Sequence, residues 1–471
     1  MRKLHSIGAL LVSALVFAAC GGAPAAQSPT TAPSDTAAPT PAAATAAPAA
    51  ATAAATVAAP PPAATAAAPA TTVTKDKVTL TLWAYEGYQD FLPRLVEAFE
   101  AKYPNIHVEI TNIPEDQYGT KVETALAAGA PPDLGFISQR RLLKSGVFLP
   151  LDEVVKKENI DLSTWNQAII GPPGAANAEE SCKYEDKVYC LGSYTGAVML
   201  FYNKAMFDAA GISYPAPWPP MTVDQYAQIA CKLTNKDKGV WGTANGDPVT
   251  WLPWETFVSP DGRNVLDVVN GPTSIHVHEV VAKMIQDGCA PSLNVLDPWQ
   301  QGVDFFSQGK LAMVITDFQS LFKIEQAKIN YGVTHIPAPE GVKPFFNVWT
   351  DDIGVFAKSS HPEEAKLFVA FQGTEGQRVR VKQTGDVPVS SAVAKELNWA
   401  GTTAGRQEAL QVLEHARPNV TVPNRWDVVG PLFDAFGLMV SREQSVKEAL
   451  DTAAPQMQEN LEKAWKDWER P

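Results

Sequence analysis

The stretch "VTLTLWA" alternates apolar and polar positions, the signature of a strand with one buried face. "DFLPRLVEAFEAKY" follows and sets Phe91, Leu92, Leu95, Val96, Phe99 and Tyr103 at helical intervals behind Asp90, a candidate cap. Pro93 falls in the first turn of that helix, where its missing N–H is not needed. "NIHVEI" alternates again, "YGTKVETALAAG" has helical spacing, and "PDLGFIS" reads as a short buried strand. Strand, helix, strand, helix, strand predicts parallel pairing with helices on both faces, an α/β lobe.

The later chain uses the same elements in a broken order. "KVYCLGSYTGAVMLFYN" is strand-rich, "TVDQYAQIACKLT" and "SIHVHEVVAKMIQDG" are helical, and "LAMVITD" and "YGVTHIPA" are strands. "HPEEAKLFVAFQG" opens a helix with acidic residues against the positive end of its dipole. The C-terminal third is mostly helical and ends in "SVKEALDTAAPQMQENLEKAWKDWE". No internal repeat is visible.

The two ends of the chain differ in kind. Residues 1–19 combine a basic start (Arg2, Lys3), the apolar run "IGALLVSALVF" and the small pair Ala18–Ala19, which is the pattern of a secretory signal. "VFAAC" followed by two glycines resembles the lipobox of bacterial lipoproteins, with Phe17 where Leu is more usual, and implies lipidation of Cys20 and anchoring to a membrane through that lipid. Residues 20–76 are almost wholly Ala, Pro and Thr after the glycine pair. Such a segment lacks the large apolar side chains that offset ordering entropy, so it is expected to act as a disordered tether. Some fifty residues reach on the order of 150 Å if fully polyproline-like.

The remaining length suits two lobes rather than one core. A net charge of −13 without basic blocks argues against nucleic acid and anionic lipid surfaces as partners. Besides Cys20 there are Cys182, Cys190, Cys231 and Cys289, an even set in an exported chain. Three pairings are possible; Cys182 with Cys190 and Cys231 with Cys289 are favoured. In an extended "IHVH", His276 and His278 would share a side, but no third ligand stands nearby, and no metal or cofactor is expected.

A family likeness rests on eight stretches in order: "LTLWAYEGYQDFLPRLVEAFEAKYPNIHVEI", "ALAAGAPPDLGFIS", "GVFLPLDEVV", "GAVMLFYNKAMFDAAGI", "FSQGKLAMVITD", "YGVTHIPAPEG", "DDIGVFAKSSHPEEAKLFVAF" and "SVKEALDTAAPQMQENL". From about Val78 to the C-terminus the chain resembles the extracellular solute-binding proteins of ABC importers, the group that includes the maltose-binding protein. The resemblance implies two α/β lobes joined by hinge strands and closing on a ligand, with 77–193 and 334–373 in lobe 1 and 194–333 and 374–471 in lobe 2. It implies a monomer outside the cytoplasm that hands a small-molecule solute to a membrane permease.

Ligands of open α/β sheets sit beyond the carboxyl ends of strands. That rule selects Tyr85 and Glu86 after the first strand, with Tyr88 nearby, and Gln139 and Arg140 after "DLGFIS". Trp83 is expected to finish its strand and pack. Tyr194 falls at the first hinge by the resemblance, beside Gly192 where many relatives have Pro. Trp251 and Asp247 in "NGDPVTWLPWETF" suit stacking on a sugar ring and binding its hydroxyls. Trp349 and Trp426 occupy regions that contribute aromatic contacts in relatives, and Asp317 is a further candidate. "VITDFQS" lacks the aromatic or Gly-Trp pair of many sugar binders, which weakens a maltose-like reading.

No GxSxG elbow, GxxxxGK[ST] loop or HExxH helix is present, and prolines interrupt the glycines of "GPPGAAN". Asp351 and Asp352, adjacent on a strand, would point to opposite faces and make poor catalytic partners. The expectation is therefore a binder of a mono- or oligosaccharide, not an enzyme. The alternatives are a non-sugar solute such as a polyol phosphate, or an exported carbohydrate-active enzyme.

Overall fold

The computed structural model describes residues 76–88, 91–137, 141–170, 182–244, 256–291, 301–342, 344, 348–401, 403–416, 420 and 422–469. All of these belong to one compact unit. The signal, Cys20, the tether and Asp90 lie outside the described residues.

The alternating start of the chain forms β1 (Val78–Tyr85), with Val78, Leu80, Leu82 and Ala84 buried. It pairs in parallel along its whole length with β2 (Ile106–Ile113) and on its other side with β3 (Leu134–Phe136). Helix Leu92–Lys102 connects the first two strands, carries Pro93 in its first turn, and buries Leu92, Leu95, Val96 and Phe99. This spacing puts all four side chains on one stripe facing the sheet.

A disulfide between Cys182 and Cys190 encloses the hairpin of β4 (Lys183–Tyr184) and β5 (Lys187–Val188). The chain then enters a second sheet through β6 (Gly196–Asn203), buried at every position, as a strand covered on both faces must be. β7 (Trp241–Thr243) and β8 (Leu311–Asp317) lie on one side of β6. β9 (Tyr331–Thr334) and β10 (Val348–Trp349) share its other edge. The first sheet is completed by β11 (Ile353–Val355), antiparallel to β3. Cys231 and Cys289 are joined, tying helix Val223–Leu233 to the residues that follow helix Pro272–Gln286.

The expected lobe boundaries need correction in two places. Thr334 pairs with Leu200, and Val348–Trp349 pair with β6, so the chain returns to the first sheet at Thr350–Asp351 rather than at residue 334. Nor does it leave at Gly373. Helix Pro362–Phe371 continues through a π-helical turn, Gln372–Gly376, into helix Gln377–Thr384. A Cβ on Gly376 would meet Leu95 at 2.9 Å, and Arg380 covers Phe91, so this helix stays packed on Leu92–Lys102. The third crossing is therefore at residues 386–390, after which helix Ala404–Leu413 packs on β9 through Gly405 and Tyr331.

The extended reading of "IHVH" also fails. Both histidines lie on helix Pro272–Gln286, where residues two apart face different ways: His276 is exposed and pairs with Asp224, while His278 is buried.

Candidate functional site

The first and second crossings touch at Gly192. A Cβ there would come within 1.7 Å of Thr350 Oγ1, so only glycine lets the two backbones lie this close. Thr350 uses the space to donate its hydroxyl to the Tyr194 carbonyl at 2.6 Å. Asp351 accepts from the Ser193 N–H and hydroxyl, both at 2.6 Å. The π-helical turn brings Gln372 against the same place, its amide donating to the carbonyls of Asp351 (2.9 Å) and Leu191 (3.3 Å). The third crossing joins the first where the Thr195 N–H donates to the Val387 carbonyl at 2.7 Å.

Arg380 sits in the middle of this junction. Its Nε donates to Asp386 at 2.7 Å, and its Nη1 lies 3.6 Å from Asp351. The guanidinium covers the rings of Tyr194 (3.8 Å) and Phe91 (4.3 Å), an arrangement that suits a planar cation. Burial opposes its charge, but Asp386, Tyr194 and Asp351 together raise its pKa further. Burial pushes the Asp351 carboxyl up, while Arg380 and the Ser193 bonds pull it down.

Tyr194 turns its hydroxyl toward both lobes. Gln319, in the turn after β8, donates to it at 2.8 Å, and the Tyr88 hydroxyl lies 3.4 Å away. Tyr88 closes the 3₁₀ turn Glu86–Tyr88 at the carboxyl end of β1. Its ring packs on Phe136 at 4.6 Å, and Tyr85 packs on Tyr118 (4.5 Å) and Phe136 (4.7 Å). Desolvation holds both the Tyr88 and Tyr194 hydroxyls well above the ordinary phenol value, so they are neutral donors and acceptors at physiological pH.

The structure thus brings Tyr85 and Tyr194, two of the residues selected from sequence, to one cluster with Tyr88. Glu86 opens the 3₁₀ turn and is exposed. The Asp317 carboxylate accepts from the Ser320 N–H at 3.0 Å and so shapes the turn that projects Gln319. Desolvation raises its pKa. Trp349 is half-buried against Gly196, whose Cβ would fall 2.3 Å from the indole nitrogen. Trp426, 51% exposed, opens helix Arg425–Ser441 with its ring on Phe433 at 6.5 Å. Trp83 continues β1, with Lys121 over its ring at 5.5 Å. Gln139, Arg140, Asp247 and Trp251 lie outside the described residues.

Two contributors were missed. Gln319 stands two residues beyond Asp317, in the turn after β8, and the strand-end rule applied to β8 would have covered it. Arg380 lies in "QRVRVKQT", which reads as a solvated helical face; nothing local marks it as buried.

The description bacterial extracellular solute-binding protein belongs to the family model that matches residues 83–379. A putative binding protein of Brucella abortus is 26% identical over 77% of this chain and 88% of its own. The sn-glycerol-3-phosphate-binding periplasmic protein of Rhizobium meliloti is 26% identical over 54% of this chain and 64% of its own. Among solved structures, the ABC substrate-binding protein of Listeria monocytogenes in complex with cycloalternan superposes with a TM-score of 0.66 at 23% identity. That superposition covers 82% of this chain and 100% of the other.

Proposed function

The chain belongs to the bacterial extracellular solute-binding protein family, and on that premise we propose that it captures a neutral carbohydrate between its lobes and delivers it unaltered to an ABC permease. One observation carries the choice of a neutral solute: among the described residues, Arg380, the cation of the Tyr88–Tyr194 cluster, is enclosed by Asp351 and Asp386. What the cluster offers instead is two phenol hydroxyls, an amide and aromatic faces. Such groups suit sugar hydroxyls and the apolar faces of sugar rings. A phosphate would require an unneutralised cation or a cradle of N–H donors. The carbohydrate complex of the Listeria protein supports the same reading.

Binding proceeds by population shift. A solute that bonds Tyr88 from one lobe and Gln319 from the other gains contacts only when both reach it, so it stabilises the closed form. Micromolar affinity corresponds to about −8 kcal/mol. A few hydrogen bonds of roughly 1 kcal/mol each plus ring stacking supply the differential. Tyr85, Tyr194, Trp251, Asp247, Trp349 and Trp426 remain the proposed aromatic and polar contacts, and Cys20 the proposed lipid attachment of a monomer held at the outer face of the membrane.

The Rhizobium meliloti relative favours a second reading, a polyol phosphate held through Arg140. Native mass spectrometry of freshly purified protein, followed by thermal-shift screening of neutral sugars beside sn-glycerol 3-phosphate, separates the two. A sugar adduct and a sugar-dependent shift are expected. A shift confined to the phosphate, or conversion of a bound sugar to product, would overturn the proposal.

A further inference from the structure

We propose that the protein has a second small-molecule site, on the far side of the hinge from the Tyr88–Tyr194 cluster, whose occupancy is coupled to closure of the lobes. A cavity of about 650 Å³ lies there. Trp165 and Ala168 line it from the first lobe, Thr195 and Val387 from two crossings, and Ala394 and Leu410 from the helices after the third crossing. Tyr194 turns into the cluster while Thr195, the next residue, lines the cavity. Tyr194 and Thr195 are neighbours just before β6, so the crossing segment itself lies between the two spaces.

The size falls within the ordinary range of ligand sites. The walls are chiefly apolar, with hydroxyls and amides such as those of Thr195 and Gln167 between them. Lys395 and Glu414, one charge of each sign, are exposed and lie on its lining. The chemistry matches a neutral, largely apolar molecule with one or two hydrogen-bonding groups.

The coupling follows from where the walls are anchored. Segment 163–168 is held to the third crossing through the Asn166 N–H and the Val389 carbonyl at 2.9 Å, close to the pivot. Leu410 instead belongs to the helix packed on β9, in the other lobe. Rotation about the crossings changes the spacing of these walls, so an occupant touching both binds the open and closed forms unequally. Closing the cleft on one side of a pivot spreads the other. A molecule wedged in the rear cavity therefore favours closure, whatever solute the front site takes.

The probe is 5-fluoroindole, a neutral bicyclic ring with one donor, followed by ¹⁹F NMR with the full folded protein. Saturable line broadening is expected, and it should be lost in Ala394→Trp and in Ala168→Phe, which fill the cavity from opposite walls. Circular dichroism identifies whichever variant folds natively. Without any solute, the filled variant should have a smaller radius of gyration by X-ray scattering than the parent. Absence of saturable broadening, or broadening unchanged in a folded variant, would refute the site. An unchanged radius of gyration would refute the coupling.

Discussion

Replacing Arg380 with Met removes the cation around which the three crossings assemble. The Arg380 side chain is 4% exposed, and those of Asp351 and Asp386 are 0% and 2% exposed. Removing one partner of a buried ion pair leaves an uncompensated buried charge and costs about 3–5 kcal/mol. Against a total stability of roughly 5–15 kcal/mol this is a large loss. Urea denaturation followed by tryptophan fluorescence measures it, and Arg380→Met/Asp386→Asn should recover part, because the second change removes one stranded carboxylate. The loss should also shrink on acidification. Burial raises the Asp351 pKa in the folded state, so the folded chain takes up a proton more readily than the unfolded chain as pH falls. Removing Arg380 strengthens that tendency, and the variant gains on the parent as the pH is lowered. A loss under about 1 kcal/mol, or a double variant no better than the single, would refute the reasoning.

Gly192→Ala should place a Cβ 2.6 Å from the Thr350 Cβ, a clash that side-chain rotation does not relieve, so the two backbones must part and the Thr350 bond to the Tyr194 carbonyl weaken, at a cost of about 1–3 kcal/mol by urea denaturation; Gly192→Ala/Thr350→Gly should recover part of it. Burial lowers the pKa of His278 and of His335 to about 4. Their unfolded forms titrate near 6.5, so between those values the unfolded chain binds protons that the folded chain does not. Each should remove about 1.4 kcal/mol per pH unit as the pH falls through that window. His278→Asn, which keeps a donor for the Ser274 carbonyl, should reduce this slope in urea titrations from pH 7 to pH 5. Cys20→Ser should shift the protein from the membrane fraction to the soluble extracytoplasmic fraction on fractionation of expressing cells, whereas unchanged membrane retention would remove Cys20 as the anchor.

The first lobe was legible because its strands and helices alternate in simple order, and period 2 changes to period 3.6 at Tyr85–Leu92. The strand-end rule reached Tyr85 directly, and its neighbour Tyr88 stood in the same turn. The lobe boundaries were not legible at residues 334 and 373. β9 and β10 are short strands that share an edge of β6, and an edge pairing leaves no periodic trace. Helix Gln377–Thr384 has a charged sequence, and the burial of Arg380 depends on Asp351, which arrives from the second crossing, as well as on Asp386, which follows Arg380 by six residues. Gln319 was hidden differently: comparison with relatives pointed to Asp317, but that carboxylate is occupied with Ser320 and the residue two places on reaches the cluster.

The central claim is that the hydroxyl of Tyr194, held between Tyr88 and Gln319, helps to bind a neutral sugar. The most direct measurement is calorimetric titration of the parent protein and Tyr194→Phe, side by side, with the sugar that gives the largest thermal shift. Loss of one hydrogen-bonding hydroxyl at about 0.5–1.5 kcal/mol predicts weakening of roughly two- to twelvefold with the fold retained. Equal affinity in the two proteins would contradict the account.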